Sequence, residues 1–202
     1  MLKLTDTQRH ELHHAVMAMQ GRADIIAAVE ALYGSFQKDL DARKPRCDRS
    51  GRCCNFEKYD HRLFVTTAEL IAFTSTIEAG EGFSSSSNQF DAARSTVPLP
   101  DACMFQVDLS CSVHEARPLG CRIFFCDSTS SDWQHQHYES LHKSIRSLHD
   151  RFDIPYFYVE WRDALRTLGV STPKAIPQVG HGSNTVRLNV VRSPSSTPIQ
   201  TT

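Results

Sequence analysis

Apolar residues recur at helical spacing along the first part of the chain. Between residues 5 and 43 they fall three or four positions apart, and Thr5 or Asp6 can cap the first turn. These apolar positions are Leu12, Val16, Met19, Ile26, Val29, Leu32, Phe36 and Leu40. Gly21 interrupts the pattern, because glycine weakens the interior of a helix. The sequence therefore predicts two consecutive helices in an N-terminal helical segment, residues 1–43.

Further helices are predicted after residue 60. The stretch LFVTTAEL begins as a short extended piece, and Thr66 and Glu69 have the spacing of a capping box. We therefore expect a helix over 67–79. Two later apolar patterns predict helices over 131–151 and 156–168. Their inward-facing residues are Leu141, Ile145, Leu148, Trp161, Leu165 and Leu168.

The connecting segments differ in composition from these helices. Residues 44–60 are polar, basic and cysteine-bearing, residues 80–100 have the composition of a surface loop, and residues 101–127 consist of short apolar pieces separated by turns. From 171 to 202 the chain is rich in Ser, Thr and Pro, which predicts a disordered tail. We predict a mostly α fold, a small helical domain around a cysteine-rich metal-binding centre with short strands or hairpins. Residues 44–170 would form this cysteine-cluster domain with its C-terminal helices.

Composition and charge exclude several classes of protein. The 202 residues are 40% hydrophobic and 22% charged, with a net charge of −1, which is typical of a globular protein. This balance gives no strong field of one sign to attract nucleic acid or an anionic membrane. The N-terminal residues lack the apolar core of a secretory signal, and no apolar stretch is long enough to span a bilayer. We expect a cytoplasmic protein with no nucleic-acid or membrane partner.

Seven cysteines carry the candidate chemistry, and they fall in two clusters. They are Cys47, Cys53, Cys54, Cys103, Cys111, Cys121 and Cys126. An odd number of cysteines without an export signal argues against a disulfide framework, and clustered cytosolic thiols are typically metal ligands or redox groups. We take all seven as candidate metal ligands. The alternatives are scattered buried thiols, or redox nucleophiles at Cys53 and Cys54.

Histidines near the N-terminus and basic residues beside the cysteines also bear on metal binding. The pair His10 and His14 has the spacing of two metal ligands on one helical turn, but a solvated helix face explains it better, since no third ligand is visible. Basic residues accompany both cysteine clusters: Arg43, Lys44, Arg46, Arg49, Arg52, Arg117 and Arg122. Such cations would offset the negative charge of a thiolate centre and lower the pKa of its thiols. The alternative for the outer arginines is surface pairing with carboxylates.

The two cysteine motifs resemble those of a known family. The stretches CDRSGRCC (47–54) and CMFQVDLSCSVHEARPLGCRIFFC (103–126) are similar to the YkgJ-type cysteine-cluster family, described as zinc- or iron-chelating domains with a CxxCxxCC signature. The resemblance spans roughly 47–126 and implies a bound zinc ion or [4Fe–4S] cluster. Flagellin lysine N-methylases are distantly similar to this family, and they imply that such a cluster can serve a methyl-transfer enzyme.

Two positions depart from the family pattern. Ser50 stands where the family has a cysteine, and a serine hydroxyl is a poor ligand at neutral pH. His114 follows Cys111 at a spacing that zinc sites use, where the family usually has an aromatic residue. Either His114 replaces the lost ligand, or the site keeps an open position, or His114 is a surface residue of a hairpin.

The sequence thus predicts a cytosolic metal-binding protein that holds zinc or an iron–sulfur cluster through its cysteines. Two alternatives stay open. One is an iron–sulfur or zinc enzyme that acts by methyl transfer or redox modification on an unknown protein or small-molecule substrate. The other is a metal carrier. The chain contains no phosphate-binding loop motif, and its short glycine pairs lack the context of a dinucleotide site.

Overall fold

The computed structural model describes residues 4–79, 84–85 and 90–171. In this part of the chain the helices are α1 (Asp6–Met19), α2 (Ala23–Arg43), α3 (Thr67–Ala79), α4 (Leu119–Ile123), α5 (Ser131–Phe152) and α6 (Trp161–Leu168). The strands are β1 (Phe64–Thr66), β2 (Ser84–Ser85), β3 (Gln106–Val107), β4 (Ser110–Cys111), β5 (Tyr158–Glu160) and β6 (Val170–Ser171). They form three antiparallel pairs, β1 with β5, β2 with β6, and β3 with β4. The predicted mostly α fold with short hairpins is confirmed.

The N-terminal segment forms two helices, as predicted. Thr5 caps α1 through a reciprocal pair in which the Gln8 backbone N–H donates to the Thr5 hydroxyl and the Thr5 N–H donates to the Gln8 side chain. Gly21 turns the chain between the helices with a φ of +75°. His10 and His14 are both exposed, which agrees with a solvated helix face.

Helix α3 lies at the centre of the packing. Its residues Leu70, Ile71 and Phe73 are buried, and α1, α2 and α5 all pack against it. Leu12 of α1 and Val29 of α2 belong to the same hydrophobic core. The N-terminal segment therefore shares one core with the cysteine-bearing part of the chain.

The predicted helix over 156–168 is wrong in its first part. Residues 158–160 form β5, which pairs with β1 in the register Phe64 to Glu160, and only Trp161–Leu168 is helical. The Glu160 side chain accepts a hydrogen bond from the Asp163 N–H and so caps α6. Pairing with a strand some ninety residues earlier overrides the local pattern, which is common for short aromatic and β-branched segments.

The remaining predictions concern loops and a tail, of which the structure describes only a part. Residues 44–60 form a loop with one 3-10 turn at Arg52–Cys54. The predicted tail, 171–202, lies outside the described residues except for its first position, and so do parts of the predicted loop 80–100. Among the helices that the structure describes, none has the length and apolar character required to cross a membrane.

Candidate metal centre

Five of the seven cysteines line one cavity. The cavity encloses about 400 Å³ of atom-free space, which includes solvent at its mouth. Its thiol-bearing residues are Cys53, Cys54, Cys103, Cys111 and Cys121. Phe56, Leu63, Phe105 and Trp161 complete a mostly apolar wall. Residues that are far apart in the sequence thus present soft ligands to a single space.

Backbone contacts between two loops bring the first four of these cysteines together. The Cys103 N–H donates to the carbonyl of Cys54 at 2.6 Å, and the Gln106 side-chain amide donates to the carbonyl of Gly51 at 2.9 Å. Gly51 has a φ of +69°, and a Cβ added there would lie 2.4 Å from the Gln106 side-chain nitrogen. The close approach of the first loop to the β3–β4 hairpin therefore requires glycine.

Glu69 holds the segment that carries the fifth cysteine. This carboxylate is buried, at 3% exposure, and it accepts hydrogen bonds from three parts of the chain. The donors are the Thr66 N–H and hydroxyl, the Tyr33 hydroxyl at 2.9 Å, and the Leu119 N–H at 2.8 Å. The last of these fixes the start of α4, where Cys121 lies. The sequence identified Glu69 as a helix-capping residue but not as the residue that positions α4.

A tryptophan contacts the site from the opposite side. The Trp161 indole N–H donates to the Cys103 sulfur at 3.4 Å, and Trp161 itself is 1% exposed. An N–H donor aimed at a sulfur stabilises the thiolate form. The sequence placed Trp161 in the core without indicating this contact, because its partner lies 58 residues away.

Hydrogen bonds between the thiols lower the pKa values of two of them and raise that of a third. The sulfurs of Cys53 and Cys54 are 3.7 Å apart, and the hydrogen bond from Cys54 lowers the pKa of Cys53 to about 6, with a smaller contribution from the charge of Arg117. The hydrogen bond from Cys54 also lowers the pKa of Cys103 to about 7. Cys54, which donates, has a raised pKa.

Burial acts in the opposite direction on the other two cavity thiols. It raises the pKa of Cys111, and it raises that of Cys121 well above its usual range. Because Cys54 has one S–H proton to donate, the cavity favours a thiolate at Cys53 or at Cys103, beside thiols that keep their protons. Thiolates are the form that binds metal.

The other predicted ligands lie outside this cavity. Cys47 is exposed, and the Cys126 sulfur lies 3.6 Å from the hydroxyl of Ser50. The side chain of His114 is 61% exposed and lies 3.6 Å from the Glu115 carboxylate. The structure thus places His114 at the surface, and the residue that departs from the family motif, Ser50, contacts a cysteine outside the cavity.

The basic residues also fall into two groups, one at the cavity and one away from it. Arg117 lines the cavity, whereas Arg46 pairs with Asp48 at 2.9 Å on the surface and Arg43 donates to the carbonyl of Thr129 at 3.2 Å. Surface pairing therefore accounts for Arg46, and Arg117 supplies positive charge beside the thiols.

The thiols do not already form a coordination shell. Within the described residues, no three His, Cys, Asp or Glu side chains stand in an arrangement that could hold a metal ion. Binding at this cavity therefore requires some of the thiols to rotate toward a common point.

Comparisons with known proteins do not add to this description. The chain matches no protein-family model, no curated protein and no solved structure. The resemblance to the YkgJ-type family therefore stays a prediction from the two cysteine motifs.

Proposed function

We propose that the cavity binds a thiophilic metal centre, either a zinc ion or a [4Fe–4S] cluster, through Cys53, Cys54, Cys103, Cys111 and Cys121. The observation that carries this proposal is the convergence of these five thiols on one cavity. Thiolates are the soft ligands that zinc and iron–sulfur centres select. Four ligands complete either centre, so one of the five thiols is in excess.

The distances and charges around the cavity support a thiolate centre. Tetrahedral zinc with Zn–S bonds of about 2.3 Å places neighbouring sulfurs about 3.8 Å apart. The Cys53 and Cys54 sulfurs are separated by 3.7 Å. Arg117 beside the cavity would offset the net negative charge of a four-thiolate centre.

The burial of the site favours a resident centre over a carrier. Cys103 is 8% exposed, and apolar side chains form most of the wall around the partly buried sulfurs. A centre held by separate loops would also tie those loops together, as structural zinc does. We also infer a cytoplasmic location, because all seven cysteines are free and a reducing compartment keeps them so.

The first test is the metal and sulfide content of protein purified without oxygen, together with its visible spectrum. A brown protein with roughly four irons and matching sulfide indicates a [4Fe–4S] cluster, whereas a colourless protein with about one zinc indicates a zinc site. A well-folded protein with neither metal would refute the proposal.

Serine variants test the ligand set. The double variant Cys103→Ser/Cys121→Ser leaves three cavity thiols, one fewer than either centre requires, so we expect it to lose most of the bound metal. Cys47→Ser/Cys126→Ser makes the same chemical changes outside the cavity, and we expect it to keep the metal content of the wild type. Equal metal loss in both variants, or in neither, would contradict the assignment of the cavity.

Thiol chemistry is the second candidate function, and the pKa of Cys53 favours it. A thiol with a pKa of about 6 is largely ionised at neutral pH, and the Cys54 sulfur is its neighbour at 3.7 Å. If the protein contains no metal, Cys53 should react with iodoacetamide much faster than the exposed Cys47. Mass spectrometry of the alkylated peptides measures the two rates.

A further inference from the structure

A second concave site lies beside the cysteine cavity. It is an open groove with about 890 Å³ of atom-free space, including solvent at its mouth. Helix α2 forms one wall with Glu30, Tyr33 and Gly34, and the segment 114–122 forms the other. Arg117 lines both the groove and the cysteine cavity. A molecule in this groove would therefore lie next to the thiols.

Arg117 and Arg122 bring two positive charges to the groove, which two carboxylates, Glu30 and Glu115, also line. The Arg122 side chain donates to the backbone carbonyls of Arg117 and Glu115, and its guanidinium lies 4.3 Å from the centre of the Tyr33 ring. The Arg117 Nε donates to the carbonyl of His114 at 3.0 Å. These contacts orient both guanidinium groups without neutralising them.

Neither arginine has a carboxylate partner. Across the described ranges of the chain, no salt bridge involves Arg117 or Arg122. Guanidinium groups bind carboxylate and phosphate oxygens through paired N–H donors. An unpaired, oriented pair of guanidiniums in a concave site thus has the chemistry to bind an oxyanion.

Gly34 keeps the groove open. It lies within α2, and a Cβ added there would meet no atom within 4 Å. Glycine inside a helix costs roughly 1 kcal/mol relative to alanine. The helix therefore carries a destabilising residue at the point where any side chain would extend into the groove.

We propose that this groove binds a small molecule that carries one oxyanion group, a carboxylate or a phosphate, through Arg117 and Arg122. Glu30 on the opposite wall has no salt-bridge partner in the described part of the chain and would repel a polyanion, so the ligand is small and not a nucleic acid. If the cavity holds a metal, the ligand is positioned beside it as a substrate would be. That last step rests on the proposed function, whereas anion binding does not.

The test is calorimetric titration of the full chain, as purified, with inorganic phosphate and separately with acetate, at constant ionic strength. We expect saturable binding of at least one probe, and the stronger of the two identifies the kind of oxyanion. The dissociation constant should rise about tenfold in Gly34→Leu, which places an apolar side chain in the groove, and by a similar factor in Arg117→Gln. No saturable binding of either probe would overturn the proposal.

Matched variants separate groove binding from a general effect. Ser35→Leu adds the same side chain to the next position of α2, which does not line the groove, and Lys143→Gln removes a charge from the exposed face of α5. Both should bind phosphate as the wild type does. Gly34→Leu should be at least as heat-stable as the wild type, because it removes a glycine from a helix. Equal binding by Gly34→Leu and Ser35→Leu would refute the groove as the site.

The metal content of the same samples keeps the two proposals apart. Gly34→Leu should retain the metal of the wild type, because Gly34 does not line the cysteine cavity. Phosphate binding by a metal-free protein would leave this inference standing and refute the proposed metal centre. Metal binding without anion binding would support the proposed metal centre and refute the anion site.

Discussion

At Gly51 the first cysteine loop turns sharply and meets the β3–β4 hairpin. Its φ of +69° disfavours a side chain, and an added Cβ would lie 2.4 Å from the Gln106 side-chain nitrogen and 3.3 Å from the Leu109 Cα. We predict that Gly51→Ala lowers the free energy of unfolding by about 2–4 kcal/mol, since it combines left-handed backbone strain with a steric clash. Urea denaturation measures this change. If the cavity binds the proposed centre, the variant should also hold less metal, because Cys53 and Cys54 would move away from Cys103.

Gly21→Ala is the control for this prediction. Gly21 has a similar φ of +75°, but an added Cβ would meet no atom within 4 Å. Replacing Gly21 should lower the free energy of unfolding only by the cost of the left-handed backbone conformation, about 1 kcal/mol. If the two variants lose equal stability, the contact between the loop and the hairpin is not tight, and the role given to Gly51 is wrong.

At the scale of the elements, Glu69 joins β1, α2 and α4 through one buried carboxylate. The Glu69 carboxylate offers two acceptor oxygens to its four hydrogen-bond donors, whereas the amide of a glutamine offers one acceptor oxygen. Glu69→Gln should therefore leave buried donors unsatisfied and lower the free energy of unfolding by about 2–4 kcal/mol. The start of α4 would loosen, so Cys121 should react faster with a thiol reagent in the metal-free protein. Both quantities are measurable by denaturation and by alkylation.

The matched control is Glu139→Gln on the exposed face of α5. It makes the same substitution without removing a buried acceptor, and its effect should stay within about 0.5 kcal/mol. A Glu69→Gln variant as stable as this control would show that the four donors find other partners.

The junction of α5 and α3 predicts a dependence of stability on pH. His149 is 3% exposed; its Nδ1 donates to the carbonyl of Ile154, and its Nε2 accepts from the Ala68 N–H at 3.4 Å. Burial lowers the pKa of His149, and the charge of Arg146 adds to this. Because the folded state favours the neutral ring, this contribution is complete above the unfolded pKa of about 6.5 and is lost as the pH falls below it.

His149→Gln tests this dependence, because an amide can replace both hydrogen bonds but does not titrate. Between pH 7.5 and 5.5 the wild type should lose more stability than this variant, as measured by urea denaturation at both pH values. The exposed His14 provides the comparison, and His14→Gln should retain the pH dependence of the wild type. A similar pH slope in all three proteins would contradict the assignment to His149.

For the whole molecule, the proposed centre would join three segments of the chain, which carry Cys53 and Cys54, Cys103 and Cys111, and Cys121. A ligand present at 1,000 times its dissociation constant adds about 4 kcal/mol to the stability of the folded state. Removing the metal with a strong chelator, without oxygen, should therefore lower the Tm by about 10 °C. Differential scanning calorimetry measures it, and the same chelator should not change the Tm of Cys103→Ser/Cys121→Ser. An unchanged Tm in the demetallated wild type would mean that the centre does not stabilise the fold.

The sequence predicted correctly the helix ends that are set by residues close to them in the chain. Thr5 with Gln8 and Thr66 with Glu69 set the starts of α1 and α3, and Gly21 separates the first two helices. Strand β5 was missed because its geometry depends on pairing with β1, which no local pattern encodes.

The sequence singled out the cysteines but could not show which of them lie together, and their metal chemistry stays a prediction. The cysteine motifs indicated metal chemistry, yet only the approach of Gly51 to the hairpin determines that Cys53, Cys54, Cys103 and Cys111 share a cavity. The roles of Glu69 and Trp161 also depend on long-range contacts. The position of Gly51 between two cysteines could have suggested its positive φ, because glycine adopts that conformation most readily.

The contact between Trp161 and Cys103 has an optical consequence. The chain has two tryptophans; Trp161 is enclosed beside the thiols, while Trp133 is half-buried on α5 and stacks on Phe36. An indole that donates to a metal-bound sulfur lies within quenching distance of an iron–sulfur chromophore, and a colourless zinc ion lacks that absorption. The intrinsic fluorescence of Trp161 would then report, in unlabelled protein and in real time, when the cavity fills and with which of the two centres.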